Sequence, residues 1–201
     1  MKPIIIVISR QFASMGRSIA QELSRQLGIE FYDRDIVEET AKRMDMHISQ
    51  ISNVEEGTNS IYLKRMYPLG MESKSVQNEI FMVQKNIIED LAGRGSCIIV
   101  GRCADSILAS YENLLSVYIY APEKERLRNC TEVLGMEEKQ GRKMMDAVDK
   151  AREAYRREYG GKAKTTFSDR HIMLDSSHFG VKGTAAILAE IAKNYQRIKQ
   201  K

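Results

Sequence analysis

The 201-residue sequence predicts an α/β protein: a three-layer sandwich in which helices cover both faces of a mostly parallel, five-stranded sheet. Three observations carry that prediction. Continuous apolar runs at Ile4–Ile8 and Cys97–Gly101 suit strands buried on both faces. Apolar stripes with helical spacing lie between the strand candidates. Glycines fall where two of those stripes end. The length suits one domain, 1–201, with a sizeable core.

In chain order, Ile4–Ile8 is the first strand. Ile19, Ala20, Leu23 and Leu27 mark one face of the helix that follows, and Gly28 stops it. Ile29–Tyr32 is a short second strand. Ile80, Val83, Ile87, Ile88 and Leu91 stripe another helix, closed by Gly93 and Gly95. Cys97–Gly101 is the third strand, and Ser116–Tyr120, between Asn113 and Pro122, the fourth. His171–Leu174 is the fifth, and Ala185, Leu188, Ile191 and Ala192 mark a closing helix. Strands alternating with helices imply parallel crossovers. Two stretches break the alternation. Segment 44–74 is polar and irregular, with Gly57, Pro68 and Gly70, and reads as a substrate cover. Segment 126–164 reads as a lid of charged helices closed by Gly160-Gly161.

Composition excludes several functions. The net charge is +4, and from Glu123 to Lys164 there are 12 Lys/Arg against 9 Asp/Glu, a mixed-sign surface rather than a basic stripe for nucleic acid. Cys97, Cys103 and Cys130 form no CxxC pair, which argues against a disulfide framework or zinc site and for a reducing, cytoplasmic setting. The run Ile4–Ile8 is cut by Ser9 and Arg10, too short for a signal-peptide core. No apolar stretch approaches the roughly 20 residues that span a bilayer, so no membrane partner is expected. His47, His171 and His178 lack metal-ligand spacing, and no nucleophile elbow is present.

The informative stretch is Ile4–Gly28, a strand, a tight turn and a helix. Phosphate loops need that order, because loop N–H groups wrap the phosphates and the helix N-terminus adds positive potential. Against the pattern G-x-x-x-x-G-K-[ST], Gly16 takes the second glycine and Ser18 the magnesium-ligating hydroxyl. Gln11 replaces the first glycine. Arg17 replaces lysine, keeping the charge but offering a planar fork. By itself the stretch also reads as a plain connection, with Gly16 permitting the turn and Arg17 in solvent.

The run "ISRQFASMGRSIAQELSRQLGIEFYDRDIV" resembles the opening of the cytidylate kinase-like family of nucleoside-monophosphate kinases. Three further segments match in order: "CIIVGRCAD", "MEEKQGRKMMDAVDKAREAYRREYGG" and "HIMLDSSHFGVKGTAAIL", the family's Gly-Arg strand, its lid, and its last strand, D-x-S turn and closing helix. The match covers nearly the whole chain, with 44–74 matching loosely. It implies a P-loop kinase fold with a helical lid, using ATP and Mg²⁺. Relatives carry Gly-Ser-Gly-Gly where this chain has Ala13-Ser14-Met15-Gly16. Met15 is the harder departure, since a non-glycine residue at positive φ is unfavourable.

The resemblance implies roles by position. Ser14, Gly16, Arg17 and Ser18 would surround the donor phosphates, Ser18 also holding Mg²⁺. Arg126 and Arg128 would close on them with the lid. Asp33 would face the acceptor sugar or base, although a helix N-cap explains it equally, with Asp35 the better cap. Arg102 would take the acceptor phosphate, a buried pair with Asp105 being the plainer alternative. Relatives with a compact Gly-Arg-Asp have the aspartate where Cys103 stands, so Asp105 is its nearest equivalent. In the lid, Asp149 and Arg152 match Asp-x-x-Arg, Asp149 orienting the nucleotide and Arg152 meeting the transferring phosphate. Some relatives carry an arginine where Met145 stands, a charge that Arg142 could supply. Plain i,i+4 pairing on a solvated helix competes with function for these lid residues.

The expected activity is transfer of the ATP γ-phosphoryl group to CMP or dCMP, with Arg17, Arg102 and Arg152 catalytic. Ala13, Met15 and Met145 motivate a rival, a nucleotide-binding regulator without turnover. The loose match of 44–74 motivates another, a small-molecule kinase with a different acceptor. The sequence leaves the oligomeric state open.

Overall fold

A computed structural model describes residues 3–48, 74–161 and 170–199. Its elements are β1 (Ile5–Arg10), α1 (Gly16–Leu27), β2 (Glu30–Tyr32), α2 (Arg34–Met44), α3 (Lys74–Gly93), β3 (Cys97–Val100), α4 (Ala104–Ile107), β4 (Leu114–Tyr120), α5 (Glu123–Arg128), a π turn (Asn129–Val133), α6 (Glu138–Tyr159), β5 (Ile172–Asp175) and α7 (Ser176–Lys199). The five strands form one parallel sheet in the order β2-β3-β1-β4-β5.

β1 is central, and its continuous apolar run has a direct cause. Ile4, Ile6 and Ile8 enter the core shared with Ile19 and Leu23 of α1 and Leu188 of α7. Ile5 and Val7 enter the opposite core, with Ile36 of α2 and Ile87 and Ile88 of α3. Alternate residues point to opposite faces, and both faces are dry, so every position is apolar. The chain leaves β1 for the edge strand β2, returns to β3, then crosses to β4 and β5. That reversal beside β1 opens a crevice at the C-terminal ends of β1, β3 and β4, where α/β proteins bind ligands.

All five expected strands are present, with shifted ends: β1 runs on through Arg10 and β4 starts at Leu114. The unexpected helix is α2, whose Val37 and Ala41 pack on Ile80 of α3. The lid begins earlier than expected, at Glu123, and a π turn divides it before the long helix α6. Most of the 44–74 cover and residues 162–164 of the lid lie outside the described residues. At the D-x-S turn, Asp175 accepts the Ser177 N–H at 2.9 Å and hydroxyl at 2.7 Å, and α7 kinks at Gly180. The three cysteines are free and buried. Among the described residues, no helix is long and apolar enough to cross a membrane.

Candidate active site

The loop between β1 and α1 takes the conformation that its glycine-poor sequence disfavours. Ala13 (φ 57°) and Met15 (φ 61°) are both left-handed, at about 1–2 kcal/mol each. Side chains from distant elements hold the loop by its carbonyls. Phe12 O accepts from Arg126 Nη1 at 3.2 Å, Ala13 O from Asn129 Nδ2 at 2.9 Å, and Ser14 O from Ser176 Oγ at 2.8 Å. Met15 also packs against the α1–α7 core. Gly16 serves another need: a Cβ there would stand 2.7 Å from Arg10 Cβ, so glycine lets the helix start close to β1.

The Ser14 hydroxyl is buried and donates to Gln11 O at 2.9 Å and Ile119 O at 3.2 Å, so it braces the loop. Ser18, in the first turn of α1, is half-buried, and its hydroxyl makes no hydrogen bond among the described residues. A free hydroxyl at that place fits the single protein ligand that a phosphate-bound Mg²⁺ commonly takes there.

The lid is tied to the loop by two residues on one face of α6. Asp149 Oδ1 accepts the Phe12 N–H at 2.7 Å, while Oδ2 pairs with Arg126. One turn on, Arg152 Nη1 donates to Arg10 O at 3.4 Å. A carboxylate thus sits on a loop N–H, the kind of donor a phosphate loop offers to anions.

Asp33 gathers charge from both sides of the crevice. Its carboxylate meets Arg17 Nε at 2.7 Å, Arg102 Nη1 at 3.4 Å and Arg10 Nη2 at 3.9 Å. It stands at the N-cap position of α2 but makes no side-chain cap, and Asp35, the expected cap, lies inside the first turn. Arg17 thus pairs with Asp33 while its side chain stays more than half exposed.

The alternative weighed for Arg102, a buried pair with Asp105, does not form among the described residues. Arg102 folds back on Val100 O at 3.0 Å and on Asp33. Asp105, 1% exposed, instead receives Arg156 at 2.8 Å and Arg170 on the same oxygen. Asp105 thereby anchors two arginines. The turn carrying Arg102 is three left-handed residues long, Gly101 (φ 76°), Arg102 (φ 54°) and Cys103 (φ 52°). Strain of this kind clusters at functional sites.

These groups enclose a cavity of about 120 Å³, walled by Arg10, Arg102, Arg152, Arg156, Arg170 and Tyr118. A second cleft, about 410 Å³, shares Tyr118 and Asp149 with it and continues toward Gln11, Arg126 and Arg142. Burial first, and then the Asp149 charge, push the Tyr118 phenol above its ordinary range, so it stays a neutral donor.

Two lid arginines are engaged in exposed ion pairs. Arg128 is exposed and pairs along its own helix with Glu125 at 2.6 Å. Arg142, expected to replace the charge missing at buried Met145, is committed to Glu123 at 3.0 Å and Glu138 at 2.9 Å. Arg10, Arg156, Arg170, Asn129 and Ser176 were not anticipated. Arg10 and Ser176 lie inside quoted motifs, so position alone could have raised them. Arg170 precedes β5 with no local pattern to mark it. His171 is structural, its Nδ1 accepting the Ser116 N–H at 3.1 Å.

A phosphate-type loop between β1 and α1, an arginine-walled crevice at the sheet edge and a helical lid define a P-loop kinase fold. Within that class, the sequence matches the cytidylate kinase-like family over residues 5–178, and the chain belongs to that family. A similar solved structure is that of an uncharacterized protein from Eubacterium ventriosum, 24% identical, covering 94% of this chain and 98% of that one, TM-score 0.71. Shikimate kinase from Bacteroides thetaiotaomicron is 11% identical over 94% and 98% of the two chains, TM-score 0.56. Deoxyadenosine kinase from M. mycoides is 12% identical over 95% and 100%, TM-score 0.51. No curated protein matches the sequence.

Proposed function

We propose that this chain is a phosphotransferase that moves the γ-phosphoryl group of ATP to a small-molecule acceptor, CMP or dCMP being the first expected. The observation that carries this reading is a carbonyl-clamped loop at a helix N-terminus beside a cavity with five arginines in its wall. Phosphoryl transfer asks for positioning and charge neutralisation more than for acid–base chemistry, and this site is rich in both.

On this reading the loop N–H groups and the first turn of α1 bind the donor phosphates. Phe12 N–H exchanges the Asp149 carboxylate for a phosphate oxygen. Arg17, released from Asp33, spans donor and acceptor. Arg102 and Arg152 steady the phosphates between which the group moves, and the lid excludes water. Ser18 would hold Mg²⁺, which when bound neutralises and orients the donor phosphates.

A second reading is a kinase with a non-nucleotide acceptor. Shikimate kinase and a gluconokinase from Sinorhizobium meliloti share the fold, at 11% and 16% identity, and act on such acceptors by name. A coupled ADP-release assay with ATP, Mg²⁺ and each nucleoside monophosphate separates the readings. Stimulation by CMP or dCMP supports the first. ATP-dependent thermal stabilisation with no nucleotide response favours the second. Nucleotide binding with no ADP from any acceptor identifies a regulator instead.

A further inference from the structure

The loop after β1 holds two left-handed residues, Ala13 and Met15, and neither is a glycine. Each is fixed by a bond on both sides. A residue's φ and ψ are set once its two flanking peptide planes are set. Ala13 lies between Phe12 O, which accepts from Arg126, and its own carbonyl, which accepts from Asn129. Met15 lies between Ser14 O, which accepts from Ser176, and its own carbonyl, which accepts the Ile19 N–H at 2.9 Å. In a trans peptide the C=O and the following N–H point in opposite directions. The clamped carbonyls therefore turn the N–H groups of Ala13, Ser14 and Met15 the other way. Those of Ala13 and Met15 make no hydrogen bond among the described residues, and that of Ser14 meets Gln11 O at the long distance of 3.5 Å.

Among the clamps, Asn129 differs in kind. Arg126 is charged and pairs with Asp149, so its hold on Phe12 O belongs to a charge cluster that a phosphate would enter. Ser176 shares its one hydroxyl proton between Ser14 O and Tyr120 O, at 2.8 and 3.2 Å. Asn129 is neutral. It neither neutralises a phosphate nor competes with one, and its contact on Ala13 O at 2.9 Å is a matter of placement. The π turn makes that placement. α5 ends at Arg128, and the Leu134 N–H then closes on Asn129 O at 3.0 Å, five residues back instead of four. Single π turns of this kind gather at functional sites. The turn is also wedged from behind. Cys130 is fully buried, and a Cβ on Gly141 of α6 would stand 2.9 Å from Cys130 Cβ. Glycine at 141 lets α6 press on the turn that carries Asn129.

We propose that Asn129 is a positioning residue for the donor-phosphate loop. From the π turn it fixes the Ala13–Ser14 peptide, and so supplies the left-handed bend that a glycine would adopt unaided. That the ligand of this loop is a nucleoside triphosphate rests on the phosphotransferase reading above.

The test is a double-mutant cycle between Asn129→Ala and Ala13→Gly. It reads ATP affinity by calorimetry on the full chain in Mg²⁺, with folding checked by circular dichroism. In the wild-type loop, Asn129→Ala is expected to weaken ATP binding about tenfold, because Ala13 then relaxes out of the left-handed region. In the Ala13→Gly background the same change should cost about threefold at most, since glycine holds positive φ without help. An equal loss in both backgrounds makes Asn129 merely structural and overturns the proposal. Unchanged affinity in the single variant overturns it too, as does failure of the wild type to bind ATP. If Asn129→Ala does not fold, Asn129→Ser, which likewise lacks the amide, decides by the same comparison. ADP release separates the two ideas. Glycine-rescued ATP binding with no turnover of any acceptor keeps the positioning role and sinks the kinase. Phosphorylation of CMP, with ATP affinity unaltered in Asn129→Ala, keeps the kinase and sinks the positioning role.

Discussion

Two loops at the same edge of the sheet solve the same problem in opposite ways. The loop after β1 and the turn after β3 both hold non-glycine residues in left-handed conformations: Ala13 and Met15 in one, Arg102 and Cys103 in the other. The first is held through its backbone, by Arg126, Asn129 and Ser176 on consecutive carbonyls. What it offers is N–H groups, which every residue but proline possesses. The second is closed by backbone bonds, one to β1, Gly101 N–H to Ile8 O, and one within the turn, Ala104 N–H to Gly101 O, each 3.0 Å. What it and its neighbours offer is side-chain charge. On the proposed reading, the donor-side loop would tolerate altered residues so long as the clamps remain, and the acceptor-side turn would not.

The sharpest way to break this contrast is Asp105→Asn. Removing the carboxylate leaves Arg156 and Arg170 buried without it, at about 3–5 kcal/mol of stability. Urea denaturation measures the loss, and a drop under about 1 kcal/mol would refute the intolerance claimed for the acceptor side. Gly16→Ala is expected next, about 1–3 kcal/mol less stable, because its Cβ would meet Arg10 Cβ at 2.7 Å. A thermal melt as high as wild type would mean that the loop can retreat from β1.

Ala13→Gly sharpens the comparison from the other side. Relief of the left-handed penalty, partly offset by glycine's entropy, should leave the protein up to about 1 kcal/mol more stable. ATP affinity should be unchanged, since the N–H groups stay in place. Destabilisation, or a tenfold change in ATP binding, would show that the alanine methyl matters.

The smallest effect is on pH dependence. Burial pushes the Cys103 thiol up to about 12 and the Cys97 thiol up to about 11, from an ordinary 9.0. Between these values the unfolded chain has released protons that the folded chain keeps, so stability falls as pH rises. The contribution is complete below about pH 9 and lost toward pH 12. Cys103→Ala should flatten that alkaline limb. An unaltered slope above pH 9 would place the titration elsewhere.

Much of the fold was legible because its signals are local. A strand dry on both faces must be apolar at every position, and β1 and β3 announce themselves that way. α2 was legible only as a possible helix start at Asp33 or Asp35, since its apolar stripe is short and its partner, α3, lies beyond residues 49–73. In the site, Asp149 and Arg152, read as nucleotide and phosphate contacts, lie one helical turn apart and reach Phe12 N–H and Arg10 O. The direction of the Ser14 hydroxyl was not legible, because a hydroxyl in such a loop can turn inward as easily as outward. Asp105, offered as a substrate contact with a pair to Arg102 as the alternative, meets Arg156 and Arg170, which its sequence neighbourhood does not point to.

The sequence by itself determined the alternation of strands and helices, the place of the phosphate loop and the positive φ that Met15 would have to bear. These follow from spacing and sterics within a few residues. The tertiary structure decided which arginine meets which carboxylate. Arg17 and Arg102 meet on Asp33, Arg156 and Arg170 on Asp105, and Asp149 sits on the Phe12 N–H across 137 residues of chain. No local pattern encodes those choices. A guanidinium reaches several ångströms from its backbone, and its partner is whichever carboxylate the packed sheet edge brings within reach.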